Sequence, residues 1–310
     1  MTTEPAIAVV DVGSTHVRFG VATTEGPRDI QTEPTRPREL TAQLVDIVAR
    51  LQTNAGDVQH VSVSTTGLVD AGRGAIVEFD TANGETLHEI PVAPAVETEL
   101  GIPATVENDC TAAALGEAVF GDGQPYDTVV HVTVGTGIGA GVVVDGQPLR
   151  GERGYAAEVG LVPVVADGAL SSTGVHGAWE AYCSGRGIPE FARRLLDDDD
   201  RDSTLRSRQS LAAPDVFEAA ANGDVVAQSC LDRVARYNAA GIGAIVNAYD
   251  PGVVTLGGSV ALENPEWILD GIHANLDDYV LADPPDVRLT PLGADIELYG
   301  AAAAFFADER

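Results

Sequence analysis

The chain has 310 residues, 47 acidic and 18 basic, with a formal net charge of −29 and 45% hydrophobic content. That hydrophobic share supports buried cores, so the acidity does not signal disorder, and the length fits one large domain or two of about 150 residues. So negative a chain repels nucleic-acid phosphates and anionic lipid, and no apolar run approaches the ~20 residues that span a bilayer.

Ile7 to Val10 reads as a buried strand, followed by the turn Asp11-Val12-Gly13-Ser14-Thr15 and an alternating strand, Val17 to Ala22, which together form a hairpin. Leu40, Leu44, Val48 and Leu51 share one helical face, and that helix is expected to end near Asn54 and Gly56. Val61 to Ser64 is a strand closed by Thr66-Gly67. Ala104 to Val106 is another, leading through Glu107-Asn108-Asp109 into an alanine-rich helix. Strands from Thr128 to Val134 and from Gly141 to Val144 flank the tight turn Gly135-Thr136-Gly137-Ile138-Gly139, and Asp145-Gly146 turns the chain again. Helices are predicted from His176 to Leu196, from Val225 to Tyr249 and from Glu297 to Phe306, and a strand from Val253 to Leu256 that runs into Gly257-Gly258. Asp197 to Ser210, with its four consecutive aspartates, reads as a solvated loop or disordered insertion. Strands alternating with helices argue for an α/β chain of two similar lobes.

Chemistry concentrates in the turns. At Asp11 to Thr15, glycine admits a ligand close to the backbone, successive N–H groups can form an anion-binding nest, and Ser14 and Thr15 add hydroxyls. Asp11 could hold a hydrated magnesium ion, which prefers oxygen ligands. The bland alternative is an ordinary hairpin turn. The second turn is GxGxG rather than GxGxxG and is followed by a strand, which disfavours dinucleotide binding. Two phosphate-cradling turns point instead to a nucleotide polyphosphate held between two lobes. Glu107-Asn108-Asp109 lies at a strand end, where open α/β sheets bind ligands; the same residues also suit a helix N-cap.

These motifs occur in one order. Asp11-Val12-Gly13-Ser14-Thr15, Glu107-Asn108-Asp109 with Thr111 to Glu117, the Thr133 to Gly141 turn, and Pro251 to Gly258 together resemble the ROK family of sugar kinases over residues 6 to 308. The resemblance implies a two-lobed actin-like ATPase fold (sugar kinase/Hsp70/actin), with residues 1–117 and 295–310 as the smaller lobe and 118–294 as the larger. It implies an ATP- and Mg2+-dependent glucokinase, or a kinase of fructose or an N-acetylated hexosamine, or a sugar-binding member with little turnover. Asp109 matches the catalytic base and Asn108 its sugar-hydroxyl partner. Glu158 and Glu180 match further sugar-binding glutamates, and Gly67, Thr81 and Asn83 fall at the substrate loops. Asp11, Gly13, Ser14 and Thr15 match the first phosphate element, Gly135, Thr136 and Gly137 the second, and Gly257 and Gly258 would lie against the adenosine. The family also suggests a homodimer.

Departures bear on metal and specificity. Where the family has a histidine after Glu-x-Gly, this chain has Leu161, and the accompanying zinc-ligand cysteine positions hold Ser171, Thr173 and Ala178, so no protein-built metal site is expected. Ser14 stands where glycine is commoner and His16 where lysine or asparagine often occurs. A missing polar contact at Leu161 can change which sugar hydroxyls are discriminated. A regulator of the same family would carry a DNA-binding segment ahead of the phosphate turn. Only ten residues precede Asp11, and the charge is hostile to DNA. A different actin-like phosphotransferase would have no reason to keep Asn108-Asp109 together with Glu158 and Glu180.

Composition also speaks to the cell. All 18 basic residues are arginine, and such chain-wide depletion of lysine points to a protein adapted to a salt-rich cytosol rather than to one acidic docking patch. Cys110, Cys183 and Cys230 are far apart and unpaired in motif, which fits a reducing compartment. Met1 to Pro5 show neither the basic nor the apolar part of a signal peptide. A cytoplasmic enzyme is expected.

Overall fold

A computed structural model describes residues 6–55, 58–198 and 200–306. Met1 to Pro5, Gly56 and Asp199, on which expectations above fell, lie outside them. The chain divides into two compact units, Met1–Pro125 with Gly141–Ala156 and Asp295–Arg310, and Tyr126–Ala140 with Ala157–Ala294. Residues 118–125 and 141–156, expected in the larger lobe, pack instead with the first unit. The reason is local. A Cβ on Gly141 would lie 2.1 Å from the Cys110 carbonyl oxygen, and Arg150 is ion-paired to Glu107 at 2.5 Å.

In the first unit, strand β1 (Ala6–Val12) pairs antiparallel with β2 (His16–Thr23), which pairs antiparallel with β3 (Gly26–Pro34). Helix α1 (Leu40–Ala55) leads to β4 (Val58–Thr65), parallel to β1. A small antiparallel sheet follows: β5 (Leu68–Asp70), β6 (Ala75–Asp80) and β7 (Thr86–Ile90). Helix α2 (Val92–Leu100) precedes β8 (Ala104–Asn108), which is parallel to β4, and α3 (Asp109–Phe120). The main sheet therefore runs β3-β2-β1-β4-β8.

Strand β1 is apolar apart from Asp11 because it has a core on each face. Ala8, Val10 and Val12 join Leu40, Leu44, Ile47, Val48 and Leu51 of α1 in one cluster. Ile7 and Val9 join Leu298, Ala301, Ala302 and Phe306 of the C-terminal helix, Ile296–Phe306, in the other. This side-chain alternation is the period of two inherent in a strand. The C-terminal helix approaches α3 closely at paired glycines: a Cβ on Gly300 would sit 2.0 Å from the Ala112 carbonyl oxygen, and one on Gly116 3.0 Å from Gly300 N.

In the second unit, β9 (Thr128–Val134) is followed by β10 (Ile138–Val144), which continues into the first unit and pairs there with β11 (Gln147–Pro148) across Asp145-Gly146, both at positive φ. The helix expected over His176 to Leu196 is broken. The chain forms a short hairpin, β12 (Ser171–Ser172) and β13 (Val175–His176), then the one-turn α4 (Glu180–Cys183), then α5 (Gly187–Asp198). Gly177 at φ +73° and the Ser184-Gly185 break, where Gly185 N donates to the Gly135 carbonyl at 2.7 Å, explain it. The expected loop from Asp197 to Ser210 is partly built. Its first residues end α5, and Asp224 accepts hydrogen bonds from Ser203 and Thr204 while the buried Leu205 anchors a turn.

Helix α6 (Ala213–Ala221) precedes α7, which runs over the predicted Val225–Tyr249, capped by Asp224 through Val226 N and Ala227 N and ended by left-handed Asp250 before Pro251. Strand β14 (Val253–Gly257) pairs parallel with β9 on one side and, past α8 (Ser259–Glu263) and α9 (Pro265–His273), with β15 (Asp286–Leu289) on the other. Among the described residues no helix is long and apolar enough to cross a membrane.

Candidate active site

In the first unit, the register of β1, β4 and β8 brings Asp11 opposite Ser64 and Thr65 opposite Asn108 at the carboxyl edge of the sheet, where open α/β sheets receive ligands. Asn108 both caps α3 and orients Asp109. Its Oδ1 accepts from Cys110 N and Thr111 N at 3.0 and 3.2 Å, starting α3, while Nδ2 donates to the Gly67 carbonyl at 3.1 Å and to Asp109 Oδ1 at 3.0 Å. Gly67, at φ +91°, has no room for a side chain, since a Cβ would lie 2.1 Å from the Glu78 carbonyl oxygen. Glu107, buried, is tied to Arg150 and accepts from Asn108 N at 3.1 Å.

Two carboxyls here hold protons unusually well. Asp109 is raised to about 7, by burial first and then by the charges of Asp11 and Glu297. Asp11 is raised to about 6 by burial and Glu297, against the pull of Arg18. Arg18 lies opposite Asp11 on β2 and pairs with Asp11 Oδ2 at 2.8 Å, Glu297 Oε2 at 2.7 Å and Asp295 Oδ1 at 3.3 Å. The turn from Gly13 to Thr15 is closed by Gly13 N donating to the His16 carbonyl at 2.9 Å and braced by Thr35, whose Oγ1 donates to the Gly13 carbonyl at 2.7 Å. Thr81 and Asn83 lie apart in the β6–β7 turn, joined to each other by a 2.5 Å hydrogen bond, and line a cavity of about 410 Å³ with Arg36, Arg38 and Glu85.

In the second unit, the glycine turn after β9 and the Gly257-Gly258 step after β14 lie side by side: a Cβ on Gly135 would be 3.9 Å from Gly258 Cα. Gly258 adopts φ +81° with ψ 154°, and a Cβ there would lie 2.5 Å from the Val134 carbonyl oxygen, so only glycine suits the position. A cavity of about 230 Å³ opens on Gly135 and Thr136, with Arg186, Phe217, Ser259 and Asn264 among its walls. A second, of about 240 Å³, opens on the other side of Thr136, Gly137 and Arg186 and is lined also by Ser172, Glu180 and Glu190.

Glu180 borders the turn. Its Oε2 accepts from Ile138 N at 3.0 Å and its Oε1 from Ser172 Oγ. The preceding Trp179 is fully buried, and its Nε1 donates to Asn238 Oδ1 at 2.8 Å, which fixes where Glu180 starts α4. Glu158 precedes a 3-10 turn, Val159–Leu161; desolvation and then the Glu180 charge raise its proton affinity, so the two glutamates sense one another. Gly160 packs on β10, where a Cβ would lie 2.0 Å from the Ile138 carbonyl oxygen. Among the described residues no three His, Cys, Asp or Glu side chains converge as metal ligands.

Residues that sequence reasoning missed are those joined across long separations. Glu297 meets Asp11 through Arg18, and Arg186, Phe217 and Asn264 meet at one cavity. A signal for Arg186 was present: glycines flank it in Gly185-Arg186-Gly187, an improbable sequence for a helix interior.

The sequence matches the ROK family over residues 7–305. A glucokinase of Streptomyces coelicolor is 30% identical over 307 residues, covering 94% of this chain and 95% of that protein. A ROK hexokinase structure from Thermus thermophilus superposes with a TM-score of 0.83 at 29% identity, covering 98% of this chain and 100% of that one. A ROK glucokinase from Streptomyces griseus, solved with glucose and AMPPNP, gives a TM-score of 0.75 at 31% identity, covering 96% and 98%. The fold is the α/β, two-lobed actin-like fold of sugar kinases. With its glycine turns and Asn108-Asp109 edge inside a match that spans nearly the whole sequence, the chain belongs to the ROK family.

Proposed function

We propose that this chain is an ATP-dependent hexose kinase whose substrate is glucose, carrying the ATP γ-phosphoryl group to a sugar hydroxyl. The observation that carries the reading is Asp109: a carboxyl at the sheet edge, oriented by Asn108, with a pKa raised to about 7. A base is most useful when its pKa lies near the working pH. The Asp109 carboxylate accepts the hydroxyl proton as the sugar oxygen bonds to the γ-phosphorus and the bond to the ADP oxygen breaks. Asn108, held by its cap bonds, orients the hydroxyl, and Glu158 and Glu180 hold the ring, with Gly67, Thr81 and Asn83 at the substrate loops.

Phosphate oxygens are received on the backbone N–H groups of Ser14 and Thr15 in the first unit and of Thr136 and Gly137 in the second, with the nucleoside in the 230 Å³ cavity beside Gly257-Gly258. The amides of Gly13 and Gly135 are engaged by the His16 and Gly137 carbonyls. Asp11, an oxygen donor suited to magnesium but with Oδ2 already engaged by Arg18, would hold the ion only with nucleotide oxygens and water, and the ion would offset charge on the transferring phosphoryl group. Protein contacts order the loop that carries Ser171, Thr173 and Ala178. Ser172 bonds Glu180, Leu170 N donates to Tyr182 Oη at 3.0 Å, and Pro163 bridges Ala178.

Leu161 supplies no hydrogen bond to a sugar hydroxyl, and this favours tolerance of fructose or an N-acetylated hexosamine beside glucose. The acidity belongs to a salt-rich cytoplasm, and the working form is a homodimer. Coupled ADP release measured with a hexose panel in molar potassium chloride tests the assignment. Glucose is expected to give the highest kcat/KM; ATP turnover independent of any hexose would overturn the reading.

A further inference from the structure

The nucleotide side of the second unit contains a cation with an unusual setting. Segment 184–187 is stapled to the glycine turn. Gly185 N donates to the Gly135 carbonyl at 2.7 Å and Arg186 N to the Thr136 carbonyl at 3.3 Å. Ser184 Oγ donates to the Glu180 carbonyl at 2.7 Å and accepts from Gly187 N at 3.0 Å. The backbone of Arg186 is therefore fixed against the turn while its exposed side chain lines both flanking cavities.

Two of the three acids lining these cavities are otherwise engaged, while the exposed Glu263 also lines the 230 Å³ cavity. Glu180 accepts from Ile138 N and Ser172, and Glu190 pairs with Arg193 at 3.1 Å. Among the described residues no carboxylate is paired with Arg186, and it is the single cation lining either cavity. In a chain of net charge −29 without lysine, an exposed arginine held beside a phosphate-type turn is a local positive charge that an anion from solvent can meet. The guanidinium fork suits phosphate oxygens, which it can grip in a bidentate manner.

We propose that Arg186 binds the phosphate chain of the nucleotide donor, so that this acidic protein recognises a polyanion with one free side-chain cation as well as with backbone N–H groups. The proposal rests on the kinase reading for the identity of the donor, but its test does not require turnover.

The experiment is direct calorimetric binding of ATP and of adenosine to the full chain, as wild type, Arg186→Ala and Arg186→Lys, at low and at molar potassium chloride. Arg186→Ala is expected to weaken ATP about tenfold, the low end for losing a hydrogen bond to a charged group, and to leave adenosine unchanged. Arg186→Lys should recover part of the loss, and the difference between wild type and Arg186→Ala should shrink as salt rises, because a partly exposed charge contact is screened. Unchanged ATP affinity in Arg186→Ala would overturn the proposal, and so would an equal loss for ATP and adenosine. A wild-type chain that shows this binding pattern yet phosphorylates no hexose would support Arg186 and remove the hexose kinase assignment instead.

Discussion

Two arginines of the same acid-rich chain live in opposite surroundings. Arg18, in the first unit, is enclosed by Asp11, Glu297 and Asp295, all within 3.3 Å. Arg186, in the second, has no paired carboxylate among the described residues and faces open cavity. An arginine among three carboxylates has its charge neutralised internally and ties strands to a helix; one without a partner is left for an anion from solvent. Net charge says nothing about this division, which is made residue by residue.

The contrast is breakable. Asp109 belongs to the Arg18 side, where neighbouring carboxylates set its proton affinity. Asp109→Asn should lower kcat about a thousandfold in the coupled assay while calorimetric glucose binding persists. Near-normal turnover would remove the base from the acid cluster. Next in size, Arg18→Ala leaves buried Asp11 and half-buried Glu297 uncompensated and should cost about 3 kcal/mol in denaturant unfolding, since breaking a buried pair strands a charge. Arg186→Ala should stay within about 0.5 kcal/mol, as a surface change does. Equal losses would erase the distinction between the two arginines.

The smallest effect is on pH. The Asp109 carboxyl must be ionised to accept a proton, so kcat/KM should fall as pH drops below about 7. Stability moves the other way. From its ordinary 3.8 up to about 7, the folded state keeps a proton that the unfolded chain releases, so this group favours folding at the acid end and that contribution is lost as pH rises through 7. Glu297→Gln, by removing a charge that raises Asp109, should move the acid limb of the activity profile to lower pH; an unmoved limb would separate Asp109 from the Arg18 cluster.

How much of this was legible depended on range. Strand β1, α1 and α7 were readable because their patterns are local: an unbroken apolar run, Leu40 to Leu51 on one face, and Asp224 and Asp250 as end signals. The place of Asn108 and Asp109 at the strand end was readable too, although the residue chemistry left cap and site open as alternatives; the Asn108 oxygen makes the cap while its amide nitrogen holds Gly67 and Asp109. The polar strand β3 and the small β5–β7 sheet were missed, having weak alternation. The helix placed over His176 to Leu196 failed because helical spacing outweighed Gly177 and Gly185, whose roles come from contacts with Val165 and Gly135. The charge pattern around Arg18 joins residues 277 and 279 positions apart, and nothing local announces it.

The packing of Ile296–Phe306 on Ile7 and Val9 has a consequence for biosynthesis. A ribosome adding about 5–20 residues per second completes the first sheet early and supplies its second cover only after roughly 10 to 40 seconds more. For that interval one apolar face of a nascent sheet stands open, and a chaperone or the chain's own later segments must shield it. Stalling before Ile296–Phe306 is made therefore leaves the oldest strand still unsealed.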